Sequence, residues 1–270
     1  MSIQIFDGMA VLRRRFDTDH LGRGPRTVFS EMLQLRPGDV AVWCFEGTGS
    51  IKARRAIYPG YKDRPSSLTD GLRALIDLTR DALAHTRAIQ VAVPGREADD
   101  VIAHLCDTYG STQDVLVHTI DRDLLALQRD RVRVDVKPLK IVMDPADHTK
   151  DVLVEPCHIR LFKALCGDPS DKIPGMPGFG GKAFARCLPD LLQAAMQELV
   201  DGRPRPALFV EAGVKEAMAG RMCEPDQAEQ LRAFWQIVGF LPMPDDWHRN
   251  LATGTENAAA GDAVLRRFMH

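Results

Sequence analysis

The chain has 270 residues, of which 45% are hydrophobic and 27% are charged, a balance typical of globular proteins. No apolar run approaches the ~18 residues that cross a membrane, and the polar start at residues 1–4 is unlike a signal peptide. The six cysteines show neither a Cys-x-x-Cys pair nor zinc-ligand spacing, so we expect free thiols and a cytoplasmic protein without membrane attachment.

Five short apolar segments alternate along the first half of the chain with segments of helical length, such as residues 68–85. This alternation predicts an α/β fold in which helices flank a parallel sheet. The predicted strands are residues 4–6, 40–45, 89–93, 115–120 and 132–136.

Acidic residues follow four of the five predicted strands. Because ligands bind outside the carboxyl ends of the strands in parallel sheets, we expect these acids to share one edge. A single Asp after a strand is usually a turn residue or a helix cap, but four such segments together favour a common site. The acids are Asp7, Glu46, the group Glu97, Asp99 and Asp100, and the pair Asp121 and Asp123.

The group Glu97-Ala98-Asp99-Asp100 stands at the predicted start of a helix. Apolar residues at positions 98, 101, 102 and 105 have helical spacing and predict a buried face beside these acids. The helix dipole offsets the repulsion among the anions by only ~0.3–1 kcal/mol per charge. Hard divalent cations take oxygen ligands, so the pattern favours a metal site over an acidic helix cap.

Residues 50–64 form a basic segment. Cations interleaved with aromatic rings suit contact with phosphates and unstacked bases, although a solvated charged loop has a similar composition. The segment contains Lys52, Arg54, Arg55, Tyr58, Tyr61, Lys62 and Arg64.

A second region begins near Val152, with a predicted helix at residues 156–166 followed by Asp168 and Asp171. Gly178-Phe179-Gly180 then precedes a predicted amphipathic helix that carries Lys182. Backbone N–H groups at a helix start can seat a phosphate, although ordinary tight turns also use Gly-x-Gly.

Taken together, these motifs resemble the 5′-nuclease family. This family comprises the 5′→3′ exonuclease domain of bacterial DNA polymerase I, the phage 5′ exonucleases and the flap endonucleases. The most specific blocks are Glu-Ala-Asp-Asp at residues 97–100 and Gly-Asp-Pro-Ser-Asp-Lys-Ile-Pro-Gly at residues 167–175. The resemblance covers roughly residues 4–190, and the last 80 residues match only in helical character.

The resemblance implies a PIN-like catalytic nuclease domain at residues 1–152. It also implies a helical region at residues 153–270 with a helix–three-turn–helix motif that binds duplex DNA. Members of the family are divalent-metal-dependent 5′→3′ exonucleases and structure-specific 5′-flap endonucleases that hydrolyse DNA phosphodiesters. Two metal ions divide the work, one generating hydroxide and the other stabilising the leaving oxygen.

The resemblance also assigns roles to individual residues. It implies two or more Mg²⁺ (or Mn²⁺) ions in the active site, and allows a K⁺ ion at the helix–three-turn–helix turn. The tighter metal site would use Asp7, Glu46, Glu97, Asp99 and Asp100, and the second Asp121, Asp123, Asp168 and Asp171. The catalytic cations would be Lys62 with Arg54 or Arg55, and the DNA-binding residues Tyr61, as a stacking platform, with Arg64, Gly178, Gly180, Gly181 and Lys182.

Two residues depart from the family pattern. Glu46 replaces the usual Asp, which keeps the charge but extends the side chain by one methylene and so changes the metal distance expected at that ligand. Lys172 replaces the usual Asn and would either contact DNA or partly neutralise the ligands of the second metal. Neither change removes a carboxylate, and we expect an active enzyme.

A net charge of −2 is unusual for a protein that binds nucleic acid. The chain has 35 basic and 37 acidic residues, so with nine acids set aside as metal ligands the basic residues exceed the remaining acids by seven. A basic surface around an acidic site is compatible with phosphate binding.

The expected partner is DNA with 5′ ends, flaps, nicks or gaps, in a bacterial cell or a phage-infected host. We expect a monomer, with any DNA polymerase acting in trans. Two alternatives remain: a PIN-type ribonuclease acting on single-stranded RNA, and a non-catalytic DNA-binding module of the same fold. The sequence leaves open the balance between exonuclease and flap endonuclease cutting.

Overall fold

The computed structural model describes residues 2–18, 24–65, 68–137, 139–142 and 151–266. The chain divides into two compact units. The first comprises Met1–Ser50, Arg64–Val136 and Pro242–His270, and the second Ile51–Asp63 and Lys137–Leu241. None of the described helices combines the length and hydrophobicity that a membrane span requires.

Eight strands are present in the described residues. In chain order they are β1 (Ser2–Asp7), β2 (Val40–Cys44), β3 (Ile89–Val91), β4 (Asp114–His118), β5 (Val132–Asp135), β6 (Lys140–Val142), β7 (Asp151–Leu153) and β8 (Leu251–Thr253). Six of them form one sheet of order β5-β4-β1-β2-β3-β8, and β6 pairs with β7 in an antiparallel hairpin.

The helices fall between and after the strands. In chain order they are α1 (Gly8–Thr18), α2 (Gly24–Leu33), α3 (Ser50–Arg55), α4 (Asp70–Leu83), α5 (Ala98–Tyr109), α6 (Ile159–Cys166), α7 (Gly181–Phe184), α8 (Pro189–Val200), α9 (Pro206–Glu211), α10 (Glu216–Met222), α11 (Pro225–Ile237) and α12 (Ala258–Arg266). Short 3₁₀ turns occupy Asp123–Leu127, Pro156–His158 and Trp247–Asn250.

The first unit has the predicted α/β architecture. All neighbouring strands of the six-stranded sheet run parallel except β8, which is antiparallel to β3. Adjacent residues of β1 face opposite sides of the sheet. On one side Phe6 stacks on Trp43 at 4.6 Å and belongs to the core formed with α1, α2 and α4. The helix α5 contacts β1, β2 and β4.

The strand order places the ends of several strands side by side. In the register of the sheet, Asp7 at the end of β1 lies beside Cys44 at the end of β2, and Phe6 lies beside His118 at the end of β4. From β1 the chain continues to β2 on one side and later returns to β4 on the other. Such a reversal opens a crevice at the carboxyl ends of the strands.

The second unit is mainly helical. Residues 51–63 belong to it because they pack on the end of α11: Arg54 donates hydrogen bonds to the carbonyls of Ile237 and Gly239, and Tyr58 packs edge-on against Phe234. The helix predicted after Gly180 is present as α7, but it has only four residues.

The division of the chain differs from the predicted boundary between residues 152 and 153. The C-terminal segment belongs to the first unit because β8 extends its sheet, and residues 51–63 belong to the second. Neither assignment follows from local sequence patterns, because both depend on pairing between distant segments.

Gly47 holds the loop after β2 against the turn after β3. Its N–H donates to the Arg96 carbonyl at 3.0 Å, and a Cβ added here would lie 1.7 Å from the Val93 carbonyl oxygen. We expect Gly47→Ala to lower the free energy of unfolding by about 2 kcal/mol, since the backbone must shift to relieve the clash. Urea unfolding followed by circular dichroism measures this change.

The matched control is Gly220→Ala in α10, where an added Cβ has no atom within 4 Å. This change should leave the urea midpoint the same or raise it, because Ala favours a helix. Equal midpoints for Gly47→Ala and the unmodified chain would contradict the close approach described above.

Candidate functional site

Five carboxylates of the first unit converge at the carboxyl ends of its parallel strands. Asp99, in the first turn of α5, is the half-buried centre of this group. Burial, together with the neighbouring anions, raises the pKa of Asp99 well above its ordinary value. In order of effect, these anions are Asp7, Asp121, Glu97 and Glu46. The predicted meeting of acids from four strand ends is therefore observed.

Asp7 is buried, and hydrogen bonds hold both of its carboxylate oxygens. Its Oδ2 accepts from Thr119 Oγ1 at 2.7 Å, and its Oδ1 accepts from the Ala10 N–H at 3.0 Å. Thr119 Oγ1 in turn accepts from the Asp121 N–H at 2.9 Å. Burial raises the pKa of Asp7 to about 6, and Asp121 adds to the rise, while the hydrogen bonds oppose it.

Sequence analysis did not single out Thr119. The predicted strand ran to residue 120, but β4 ends at His118, which frees the Thr119 hydroxyl to bridge the segments of Asp7 and Asp121. The available signal was a hydrophobic strand whose last predicted residues include a hydroxyl two positions before an acid.

Glu97 and Asp100 form a capping box at the start of α5. The Glu97 N–H donates to Asp100 Oδ2 at 2.9 Å, and the Glu97 side chain accepts from the Asp100 N–H. The helix-cap interpretation, which sequence analysis disfavoured, is therefore correct for these two residues. It is compatible with a metal site, because Asp99 takes no part in the box.

The donor atoms of this group suit a hard divalent cation. The five acids offer carboxylate oxygens, which are the ligands that Mg²⁺ and Mn²⁺ prefer. Burial raises the pKa of the nearby Cys44 thiol well above its ordinary value, with Asp7 and Asp99 contributing, so this thiol stays protonated and is a poor metal ligand. A divalent cation would also relieve the repulsion that disfavours ionised Asp99.

Hydrogen bonds from Lys163 and Ser170 hold the carboxylate of Asp168 in the second unit. Lys163 Nζ lies 2.6 Å from its Oδ2, and the Ser170 N–H and hydroxyl donate to its Oδ1 at 2.8 and 2.6 Å. Burial alone would raise the pKa of this carboxyl, but Lys163 and the Ser170 hydrogen bonds outweigh burial and lower it. Asp168 thus fixes the turn of residues 167–175, and its role as a metal ligand stays a prediction.

Lys62 sits in a strained turn beside Asp171. Its φ of +46° is rare for a residue with a side chain, and its N–H donates to the Asp171 carbonyl at 2.9 Å. Its Nζ lies 4.0 Å from Asp171 Oδ1. Arg55 holds this turn by donating to the carbonyls of Tyr61 and Lys62 at 2.9 and 2.8 Å. Arg55 therefore positions Lys62.

Two predicted roles in this segment are wrong in the structure. Arg54 is buried, with its guanidinium engaged by the Ile237 and Gly239 carbonyls, so it does not face a substrate phosphate. Tyr61 is only 1% exposed and is flanked by the Arg54 guanidinium and Lys62 Nζ, at 5.6 and 5.0 Å from the ring centroid. Its ring is therefore not available to stack on a base. Arg64, in contrast, is exposed.

The predicted duplex-binding residues of the second unit line one groove of about 550 Å³. Gly178, Gly180, Gly181 and Lys182 are on its wall, and an added Cβ at Gly180 meets no atom within 4 Å, so the backbone there is open to a ligand. The first backbone bonds of α7 run from Ala183 and Phe184, which leaves the preceding N–H groups outside the helical ladder.

Sequence analysis missed two further cations of this groove, Arg186 and Lys215. Among the described residues that line it, none is acidic, so the groove favours an anion. Arg186 follows Lys182 by four residues, a spacing that could have indicated a shared face. Lys215 approaches from a distant segment and has no comparable signal.

Lys172 has an unusual backbone conformation, which its departure from the family pattern did not predict. Its φ of +60° lies in the left-handed region, where Gly and Asn are favoured. The Asn that the family usually has here would suit this turn better than Lys, whose side chain is exposed.

The pKa of Asp7 predicts how stability depends on pH. A folded-state pKa of about 6, against 3.8 ordinarily, means that the folded chain holds a proton that the unfolded chain releases. The resulting stability is present below the ordinary pKa and is lost as pH rises through about 6. In EDTA, Asp7→Asn should remove a pH-dependent difference in unfolding free energy of about 3 kcal/mol.

Urea unfolding at several pH values measures this effect, with Asp130→Asn as a control at an exposed site of the same unit. The control should keep the pH profile of the unmodified chain. If Asp7→Asn also keeps that profile, Asp7 is not the titrating group.

The chain is similar to known proteins in sequence and in fold. Residues 3–152 match the family described as 5′-3′ exonuclease, N-terminal resolvase-like domain. DNA polymerase I of Mycobacterium bovis is 38% identical over 194 residues, which are 70% of this chain and 21% of that protein. The 5′-3′ exonuclease of Bacillus subtilis is 34% identical over 146 residues, which are 52% of this chain and 49% of that protein.

The structure is similar to that of T5 5′-exonuclease with bound zinc, with a TM-score of 0.60 at 17% identity, covering 100% of this chain and 98% of that one. At this identity the likeness shows a shared fold. The chain spans about a fifth of the polymerase relative and about half of the exonuclease relative. Because the family match covers more than half of the chain, the chain belongs to the 5′-3′ exonuclease family through its resolvase-like N-terminal domain, as the sequence motifs predicted.

Proposed function

We propose that the chain is a divalent-metal-dependent 5′ nuclease that hydrolyses DNA phosphodiesters as a 5′→3′ exonuclease and flap endonuclease. The observation that carries this proposal is the group of five carboxylates around Asp99, whose ionisation burial and mutual repulsion disfavour. The B. subtilis relative is a 5′-3′ exonuclease, and T5 proteins of similar fold have been solved with divalent metal ions and with DNA.

The metal would be held by Asp99 with Asp7, Glu46, Glu97 and Asp100, and the longer side chain of Glu46 suits its exposed position after β2. Bound Mg²⁺ or Mn²⁺ would supply a hydroxide nucleophile and stabilise the leaving oxygen. Thr119 orients Asp7, and the capping box fixes Glu97 and Asp100, so the ligands are ordered by the fold. Asp121, Asp123, Asp168 and Asp171 keep their predicted role as ligands of a second metal on the strength of the family motif.

Lys62 is the proposed catalytic cation. An ammonium group stabilises negative charge that develops on phosphoryl oxygens. The strained backbone of Lys62 is held by Arg55 and by the Asp171 carbonyl, and strain of this kind is typical of functional positions. Arg55 would act through Lys62, by positioning it.

The groove of Gly180 and Lys182 is proposed to bind duplex DNA through its phosphates. Its lining of exposed glycine backbone and the cations Lys182, Arg186 and Lys215 suits contacts to the backbone of DNA, which carry no sequence information. A K⁺ ion at the turn is part of the proposal only through the family resemblance.

The proposed substrates are DNA molecules with 5′ ends, flaps, nicks or gaps. The proposal includes a monomer and a DNA polymerase partner that acts in trans, and only the name of the relative DNA polymerase I supports the choice of partner. The ratio of exonuclease to flap cutting is read directly from products of 5′-labelled flap, nicked and blunt substrates in Mg²⁺.

Asp99→Asn tests the catalytic assignment. Removing the central carboxylate should lower the rate of 5′-flap cleavage in Mg²⁺ at least about 100-fold, while binding of the same DNA persists. Cleavage is followed on a gel and binding by fluorescence anisotropy. Asp107→Asn, an exposed change near the other end of α5, is the matched control and should cleave normally.

Each alternative has its own outcome in this assay. Cleavage that survives EDTA or Asp99→Asn would overturn the metal site. Cleavage of single-stranded RNA with flap DNA left intact would indicate a PIN-type ribonuclease, and DNA binding without any cleavage in Mg²⁺ would indicate a non-catalytic module.

Arg186→Gln tests the duplex-binding groove. If Arg186 contacts one phosphate, its loss should reduce the slope of log affinity against log salt by about 0.9, equally for unrelated sequences. Arg205→Gln is the control, since Arg205 is also exposed but does not line the groove. Identical slopes for the two variants would contradict the assignment, as would a strong base preference.

A further inference from the structure

Three side chains of the second unit, outside the metal and DNA sites described above, form a hydrogen-bonded row. Cys157 Sγ lies 3.6 Å from His158 Nδ1, and His158 Nε2 lies 3.0 Å from Asp190 Oδ1. Cys157 and His158 are in the 3₁₀ turn that precedes α6, and Asp190 is in the first turn of α8. The thiol is exposed, whereas the imidazole is buried.

This row has the arrangement of an activated nucleophile. Asp190 can accept the Nε2–H of His158, which leaves Nδ1 as an acceptor that faces the thiol. A nucleophile within reach of a base, and a base oriented by a third group, is the geometry that activates cysteine side chains. The buried imidazole has little freedom to turn away from either partner.

The other five cysteines are in a different situation. Burial raises the pKa of all five thiols, to about 12 for Cys106 and Cys166, so they hold little thiolate at neutral pH. These residues are Cys44, Cys106, Cys166, Cys187 and Cys223. Cys157 combines exposure with a neighbouring base, and the thiolate is the form that reacts.

We propose that Cys157 is the reactive thiol of this protein and a site of covalent modification by small electrophiles, including hydrogen peroxide. His158 acts as the base that takes the thiol proton, and Asp190 holds His158 in the required tautomer. This role is separate from nuclease activity and depends on none of the metal ligands.

The chemistry balances with peroxide as the oxidant. The proton of Cys157 moves to His158 Nδ1, and the thiolate sulfur attacks one oxygen of hydrogen peroxide. The O–O bond breaks, sulfur is oxidised by two electrons to a sulfenic acid, and the hydroxide that leaves takes the proton from His158 to form water. With iodoacetamide, sulfur attacks the methylene carbon, iodide leaves and the proton stays on His158.

The test is residue-resolved labelling of the full chain with iodoacetamide at neutral pH, read by peptide mass spectrometry. Cys157 should react at least about tenfold faster than each of the other five cysteines. It should also react faster in the folded chain than in the chain unfolded by urea. Exposure alone cannot produce the second result, because the unfolded thiol is fully exposed and lacks the His158 base.

Asp190→Asn separates the orienting carboxylate from general effects on the surface. Asp190 is exposed, so the change should leave the fold intact, and we expect the labelling rate of Cys157 to fall at least about threefold. Asp226→Asn is the matched control, because Asp226 also follows a proline in the first turn of a helix, α11. It should leave the rate of Cys157 unchanged.

Peroxide treatment followed by a sulfenic-acid probe such as dimedone should mark Cys157 before any other cysteine. The proposal is overturned if Cys157 reacts no faster folded than unfolded. It is equally overturned if the labelling rate of Cys157 in Asp190→Asn equals the rate in the unmodified chain and in the Asp226→Asn control.

Discussion

The structure of the first unit depends on holding several carboxylates together against their mutual repulsion. Asp99 is the centre of this constraint, since burial and four neighbouring acids disfavour its ionised form. Separate hydrogen bonds hold these carboxylates in place. Thr119 connects Asp7 to the segment of Asp121, and the capping box holds Glu97. A metal-dependent active site requires carboxylates whose ionised forms are unfavourable without a cation and become favourable when a divalent cation binds.

A second restraint, of a different kind, operates in the second unit. There the cation Lys62 is held in a left-handed conformation, and the hydrogen bonds of Arg55 and of the Asp171 carbonyl keep it there. Arg54 anchors the same segment to the end of α11. Two arginines of the basic segment therefore hold its backbone and support the position of Lys62. As a result, only part of the positive charge of this segment is available to a substrate.

The sequence predicted most of the sheet and the acids at its edge because both have local signals. Hydrophobic runs predicted β1 to β5, and the acids that follow four of these runs predicted the positions of Asp7 and Glu46. The burial of polar residues has no such signal. Tyr61 and Arg54 have the composition of a nucleic-acid contact, yet both are buried, and Arg54 binds the carbonyls of residues that are distant in sequence. The strand β8 and the groove cation Lys215 also depend on long-range packing, which a single sequence does not encode in any short pattern.

The most direct test of the account is whether a divalent cation relieves the repulsion around Asp99. The thermal midpoint is measured against Mn²⁺ concentration for the unmodified chain and for Asp99→Asn. The account predicts that Asp99→Asn is the more stable of the two in EDTA and that Mn²⁺ stabilises it far less than the unmodified chain. Equal stabilisation of both proteins by Mn²⁺ would contradict the central role of these carboxylates.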